Sequence, residues 1–141
     1  MDLPQCFYRV SIKGLILDET RTKFLAIQEA SGIWEIPGGG LDHGEAPKEC
    51  LRREVKEEMG LEVTWIADAP SFFISCYKKS TPMGPHWSVN VLYEMKLAHL
   101  DITPTPECVA VRFVTSEEAL ALPAIENVHE FAKLFQKSQT K

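Results

Sequence analysis

The chain has no long apolar run, no excess of positive charge and no internal repeat, and each lack excludes a class of protein. No stretch of about 18 consecutive apolar residues occurs, so we expect no membrane-spanning helix. The formal net charge is −5, so a general basic surface for nucleic acid polymers or anionic membranes is not expected. The length of 141 residues and a composition of 45% hydrophobic and 25% charged residues fit one globular domain over residues 1–141.

Paired cysteines and histidines at metal-ligand spacing are also lacking. The four cysteines are Cys6, Cys50, Cys76 and Cys108. They form no Cys-x-x-Cys motif, and residues 1–9 contain no apolar run of signal-peptide length. We therefore expect a cytoplasmic protein with reduced thiols, and two disulfides in a secreted chain are the alternative. His43, His99 and His129 are interpreted as surface or structural residues.

Residues 47–59 are predicted to form an amphipathic helix. Pro47 is tolerated at the first helical position, where its missing N–H would have no partner, and Gly60 ends the helix. Apolar residues recur at every fourth position: Leu51, Val55 and Met59. They share one side of the helix, which we expect to face the core.

The same helix carries three acids on the neighbouring side. Glu54, Glu57 and Glu58 lie within an arc of roughly 100°. The glycines of residues 38–40 precede the helix as a predicted turn and let backbone groups approach a ligand. Carboxylates and carbonyls together supply the oxygen ligands that Mg²⁺ or Mn²⁺ prefers. The alternative is a solvated acidic face in which Arg53 pairs with acids four residues away.

Residues 39–61 contain a motif of nine specified positions. These are Gly39, Glu45, Arg53, Glu54, Val55, Glu57, Glu58, Gly60 and Leu61. Their identities and spacing fill every defined position of the box that characterises the Nudix hydrolases. The chain therefore resembles that family, although the motif covers only a small part of the sequence.

The order of predicted elements indicates an α/β layered domain, because strands lie on both sides of a mid-chain helix and another helix follows them. A doubly wound fold is not expected, since no Gly-x-Gly-x-x-Gly turn follows the first strand. The resemblance implies the Nudix fold, a mixed β-sheet with additional strands sandwiched between α-helices.

Alternating and β-rich apolar segments predict the strands. Residues 7–18 and 23–29 are expected to pair as a hairpin. Later strands are expected within 62–77, 87–97 and 107–114. Two helices are predicted after them, over 116–122 with a cap at Ser116 and over 124–136 with a stripe of Val128, Phe131, Ala132 and Phe135.

The resemblance implies a metal site and its ligands. Glu54, Glu57 and Glu58, with help from the Gly38 carbonyl, are expected to bind Mg²⁺ or Mn²⁺ as the cofactor. Metal would neutralise a diphosphate and assist the attack of water on phosphorus.

Further catalytic roles follow from the same resemblance. Arg53 is expected to orient a carboxylate, and Glu45 to hold the loop against the helix. The general base differs among members of the family, so Glu54 is the first candidate and Glu107 the second. Glu107 could equally be an ordinary acid at the edge of a strand.

Substrate contacts are less closely specified. Trp34 is either a wall of the site or part of the core, and Glu35 beside it either binds metal or braces the loop. The chain departs from the family at residues 28–30, where basic residues are often found, and this weakens the case for an arginine clamp there. A second departure is Ala46, which leaves Glu45 or solvent to satisfy the first amides of the helix.

Four cations and a histidine are candidates for phosphate or base contacts. Arg9 shares a strand face with Lys13, and both either attract phosphate or are solvated. His86 lies with Lys78 and Lys79 in a predicted exposed loop over residues 78–86, where a solvated loop tip is the alternative.

The leading functional hypothesis is hydrolysis of the pyrophosphate bond in a nucleoside diphosphate linked to another moiety. The expected partner is that small molecule, with no nucleic acid polymer and no membrane. An alternative is a sensor module that binds a nucleotide without turnover, and an isomerase of isoprenoid diphosphates ranks last. Members of the family are often dimers, so a homodimer is one expectation and the oligomeric state stays open.

Overall fold

A computed structural model of the chain describes residues 7–78, 81–82 and 84–140. Its strands are β1 Tyr8–Leu15, β2 Phe24–Gln28, β3 Trp34–Glu35, β4 Gly38–Gly40, β5 Val63–Ile66, β6 Phe72–Lys78, β7 His86–Leu97 and β8 Ala110–Val114. Its helices are α1 Pro47–Met59, α2 Ser116–Ala121 and α3 Glu126–Gln139. Lys79 and Cys6 lie outside the described residues. Within them, no helix is both long and apolar enough to cross a bilayer.

Two sheets form the centre of the fold. In the larger sheet β1 runs parallel to β7 and antiparallel to β4, while β6 and β5 pair antiparallel with successive halves of β7. The smaller sheet has the order β3-β2-β8, with both pairings antiparallel. The mixed sheet predicted from the resemblance is therefore confirmed.

Helices cover the sheets from both sides, and each side has its own apolar core. The core under α1 contains the predicted stripe Leu51, Val55 and Met59, all of them fully buried. The opposite core lies under α3 and contains its predicted stripe Val128, Phe131, Ala132 and Phe135. Both predicted stripes are confirmed. They could be predicted because helical spacing alone decides which residues share a face.

The ends of α1 follow the local sequence. Pro47 is the first helical residue, and Gly60 adopts a left-handed conformation (φ 69°) while its N–H donates to the Lys56 carbonyl. Ala46 provides no side-chain cap, as expected. At α2 the cap is Thr115 rather than the predicted Ser116, and a reciprocal pair of bonds with Glu118 completes a capping box.

The hairpin predicted for residues 7–18 and 23–29 forms only next to its turn. The chain does turn between the strands, since the Asp18 carboxylate accepts from the N–H groups of Thr22 and Lys23, and one antiparallel bridge joins Leu17 to Phe24. Beyond that bridge the strands diverge into different sheets. Strand partners depend on backbone pairing with distant segments, which the alternation of apolar residues does not specify.

Removal of the Phe131 ring tests the core under α3. Phe131 is fully buried, and its ring packs edge-on against Phe24 and Phe72 at centroid distances of 4.8 and 5.0 Å. We expect Phe131→Ala to lower the free energy of unfolding by about 3–5 kcal/mol, measured by urea denaturation, because it leaves a cavity. Leu120→Ala on α2 is the control, since Leu120 is 39% exposed and should change stability by less than about 1 kcal/mol. Equal effects of the two substitutions would contradict this packing.

Candidate functional site

The predicted glycine turn is strand β4, and α1 lies directly against it. Ser11, Ile12 and Lys13 of β1 pair with Gly40, Gly39 and Gly38 in turn. A Cβ atom at Gly39 would lie 2.5 Å from the Glu54 carboxylate carbon, so only glycine admits that carboxylate at this distance. The carboxylate of α1 is thereby held against the backbone of the strand.

Cys50 also joins α1 to β4. It is fully buried, and its thiol donates toward the Gly39 and Gly40 carbonyls at 3.6 and 3.5 Å. Burial raises the pKa of this thiol to about 12, and the negative charge of Glu45 acts in the same direction. The thiol therefore stays protonated and remains a donor.

Glu58 is the most buried acid of the helix, with 5% of its surface exposed. Its carboxylate accepts from the Gly38 N–H at 2.9 Å. Burial raises its pKa to about 8, and the charges of Glu35 and Glu54 act in the same direction, whereas Lys13 and the Gly38 N–H oppose the rise. An added positive charge would favour the ionised form of this group.

Arg53 binds the other acids on the side of β4 that α1 covers. Its guanidinium makes two bonds to the Glu45 carboxylate, at 2.7 and 2.9 Å, and one to Glu54 at 2.8 Å. It also donates to the Gly40 carbonyl at 3.2 Å, and it lies 3.5 Å from the more exposed Glu57. Arg53 thus links α1, the β4 backbone and the loop that carries Glu45.

The donors suit a divalent cation, although they are not gathered around one point here. Within residues 7–78, 81–82 and 84–140, no three acidic, imidazole or thiol groups are close enough together to hold a metal ion. Glu54 and Glu58 nevertheless approach adjacent glycines of β4. The carboxylates of Glu54 and Glu58 and the backbone carbonyls of the glycine strand are all oxygen donors, which Mg²⁺ and Mn²⁺ prefer.

Thr105 connects Glu107 to α1 through hydrogen bonds. The Thr105 hydroxyl donates to the Glu58 carbonyl at 2.7 Å and accepts from the Glu107 N–H at 3.2 Å. The side chain of Glu107 is exposed, and β8 begins only at Ala110. Burial raises the pKa of Glu29, and the charges of Glu35 and Glu107 raise it further. These three acids therefore share one side of the site.

The burial of Lys13 was not predicted from the sequence. The solvated alternative is wrong for it, because Lys13 is only 5% exposed. Its ammonium donates to Glu35 at 2.5 Å and to the Gly38 carbonyl at 3.2 Å. Glu35 is therefore paired with a cation in this state, and one position of the Gly38 carbonyl is already in use. A lysine at an inward-facing position of a buried strand was the available signal.

The three candidates for substrate contact occupy different surroundings. Arg9 donates to the Leu41 carbonyl at 2.9 Å and lies over Gly40. Trp34 is 9% exposed and belongs to the core under α3. The predicted exposed loop over residues 78–86 is wrong at both ends, because Lys78 ends β6 and His86 begins β7. His86 is 7% exposed, and its Nδ1 bonds to the Gly84 carbonyl at 2.9 Å. Of the three, only Arg9 belongs to β1, which pairs with the glycine strand β4 through Ser11–Lys13. Arg9 also contacts Gly40 of β4.

A narrow crevice, too tight to admit a molecule the size of water, lies beside the Lys13–Glu35 pair, between β7 and the start of α3. Asn90 and Asn127 line it, and they are 1% and 7% exposed. Their side-chain oxygens have no hydrogen-bond partner among the described residues. An unpartnered buried amide oxygen costs about 1–3 kcal/mol of stability, so these two oxygens lower the stability of the fold. Sequence analysis did not single out either residue.

Comparison with known proteins places this geometry in a family. The model of the NUDIX domain matches residues 7–135. The chain belongs to the Nudix family. Its domain extends well beyond the box that suggested the resemblance, from β1 to α3.

Curated relatives of this Nudix chain match over shorter segments. An RNA pyrophosphohydrolase of a Nitratiruptor species is 37% identical over 71 residues, which are 46% of each chain. An 8-oxo-dGTP diphosphatase of Proteus vulgaris is 40% identical over 55 residues, which are 36% of this chain and 49% of the relative. The chain thus spans about half the length of the curated relatives it matches.

Solved structures of other proteins share the whole fold. The E. coli ORF135 protein superposes with a TM-score of 0.74 at 20% identity, covering 99% of this chain and 96% of that one. The MutT protein of Methanosarcina mazei Go1 gives 0.68 at 22% identity, covering 99% and 100%. These likenesses confirm the predicted Nudix fold.

The Arg53–Glu45 pair makes stability depend on pH. Arg53 holds the pKa of Glu45 at about 2, below its ordinary value of 4.5. A lowered pKa means that this stabilisation is complete above about pH 4.5 and is lost as the pH falls toward 2. We expect Glu45→Gln to lower the free energy of unfolding at pH 7, and the gap to the wild type to shrink between pH 4.5 and 2 in urea titrations.

Glu49→Gln is the matched control for this substitution. Glu49 is an exposed acid in the first turn of the same helix. Its loss should change stability by no more than about 1 kcal/mol. A gap between Glu45→Gln and wild type that stayed constant with pH would contradict the assigned pairing.

Proposed function

We propose that this chain is a Nudix-type pyrophosphohydrolase that uses Mg²⁺ or Mn²⁺ to cleave a nucleoside diphosphate linked to another moiety. The observation that carries the proposal is the contact of α1 with the glycine strand, which puts Glu54 and Glu58 against Gly39 and Gly38. The names of the relatives, an RNA pyrophosphohydrolase and an 8-oxo-dGTP diphosphatase, support the reaction class.

Glu54, Glu57 and Glu58 would hold the metal together with the Gly38 carbonyl. A divalent cation bound there supplies the positive charge that a diphosphate needs and promotes ionisation of water. Arg53 keeps the Glu54 carboxylate turned toward β4 through its 2.8 Å bond. Without that bond the carboxylate would sample other rotamers, and ligand geometry would be lost.

Glu45 and the proposed bases complete the arrangement. The two bonds between Glu45 and Arg53 fix the guanidinium, and the Asp42 N–H donates to Glu45 at 3.2 Å. Glu54 is the first candidate for the general base, because it is already beside the glycine strand. Glu107 is the second, since its carboxylate is exposed and therefore accessible to a substrate.

Substrate contacts outside the metal ligands would come first from Arg9, which lies over Gly40 of the glycine strand. Arg9 would attract the phosphates, while Trp34 and His86 would act by shaping the neighbouring walls.

The remaining expectations are part of the same proposal. Residues 1–141 would act as one domain, in the cytoplasm, on a small nucleotide derivative and with no nucleic acid polymer as partner. A homodimer is compatible with this role. A sensor module without turnover is the second candidate, and a product from any member of a panel of dinucleoside polyphosphates, sugar nucleotides and nucleoside triphosphates with Mg²⁺ would rule it out.

Replacement of a proposed metal ligand tests the reaction. We expect Glu58→Gln and Glu57→Gln each to lower kcat by roughly 10³-fold or more on the best substrate of the panel, because metal charge is lost. The fold should survive in Glu58→Gln, since glutamine can still accept from the Gly38 N–H, and circular dichroism checks this. Glu49→Gln, on the solvent side of the same helix, should keep wild-type kcat. Full activity in both ligand variants would refute the proposal.

A further inference from the structure

Lys13 is a buried cation that lies outside the Nudix box. It occupies β1 opposite Gly38 of β4, with 6% of its side chain exposed. An ammonium at this depth has lost most of its hydration, so it requires negative partners. Glu35 and the Gly38 carbonyl provide them, at 2.5 and 3.2 Å.

Two cations divide the acids of the site between them. Arg53 pairs with Glu45, Glu54 and Glu57 on the side of β4 that α1 covers. Lys13 lines the crevice, where it pairs with Glu35 and acts electrostatically on Glu58. Compensation of the Glu35 charge therefore depends on Lys13.

A single residue connects Lys13 with the proposed metal ligands. The Gly38 carbonyl accepts from Lys13, and the Gly38 N–H donates to the buried Glu58 carboxylate. A divalent cation that used the same carbonyl and the same carboxylate would lie close to the ammonium. Like charges at short range in a partly desolvated site repel each other strongly.

We propose that Lys13 is the resident counter-ion of this acidic centre, stabilising the metal-free protein and weakening its affinity for divalent cations. The proposal rests on the metal site of the proposed function, but not on turnover. It differs from a purely structural role of the Lys13–Glu35 pair, which would leave metal affinity unchanged or reduce it when Lys13 is removed.

Lys13→Met removes the charge and keeps a side chain of similar length. We expect its melting temperature in EDTA to fall by several degrees, because Glu35 loses its counter-ion. We also expect it to bind Mn²⁺ roughly tenfold more tightly than the wild type, measured by electron paramagnetic resonance of free Mn²⁺ at fixed ionic strength. Mn²⁺ should therefore raise its melting temperature more than it raises that of the wild type.

Two controls separate local charge from net charge and from side-chain shape. Lys96→Met makes the same chemical change at an exposed position of β7, and its affinity for Mn²⁺ should stay within about twofold of the wild type. Lys13→Arg keeps the positive charge, and it should also retain wild-type affinity to within about threefold.

A double variant covers the case in which Lys13→Met does not fold. Lys13→Met with Glu35→Gln removes both charges of the pair, which restores electroneutrality in the interior. It should bind Mn²⁺ roughly tenfold more tightly than Glu35→Gln alone. Equal or weaker binding in that comparison, or in folded Lys13→Met against wild type, would overturn the proposal.

Failure of this proposal and failure of the proposed function give different results. A wild-type protein that binds Mn²⁺ but cleaves nothing in the substrate panel would refute the hydrolase and leave the counter-ion test valid. No measurable Mn²⁺ binding by either the wild type or folded Lys13→Met would overturn the counter-ion proposal.

Discussion

The close approach of helix α1 to the glycine strand is the contact on which the site depends. Gly39 has no Cβ, so the Glu54 carboxylate can approach the backbone of β4, and the Cys50 thiol donates toward the Gly39 carbonyl beside it. Gly38 adds an N–H that points at Glu58. Because α1 also buries Leu51, Val55 and Met59 in the core beneath it, the position of these acids is fixed by apolar packing as well as by their own bonds.

Charge balance is the second constraint on the same region. Several carboxylates converge near β4, and two cations, Arg53 and Lys13, compensate them from opposite sides. The buried Glu58 keeps a raised pKa despite Lys13, because burial outweighs the attraction of one ammonium. The crevice at Asn90 and Asn127 adds two unpartnered amide oxygens nearby. Such features lower stability and are characteristic of functional sites.

Local rules predicted much of this arrangement. The bounds of α1 followed from Pro47 and Gly60, and the buried stripes of α1 and α3 followed from helical periodicity. The Nudix resemblance found from residues 39–61 was confirmed by the match over residues 7–135. Local rules failed where the partner was distant, as in the predicted hairpin, whose strands belong to different sheets. At α2 a shift of one residue moved the cap to Thr115, since several adjacent polar residues could serve.

The sequence by itself determined which acids share a face of α1, because helical spacing decides that. It also determined which residues form the box, because their separations are fixed within residues 39–61. Only the tertiary structure decided that Lys13 is buried beside Glu35, and that Asn90 and Asn127 meet at one crevice. Those residues belong to β1, β3, β7 and α3, which are far apart in the chain. Their proximity comes from the parallel pairing of β1 with β7 and the packing of α3 over the sheet, and such long-range pairings leave no regular period in the sequence.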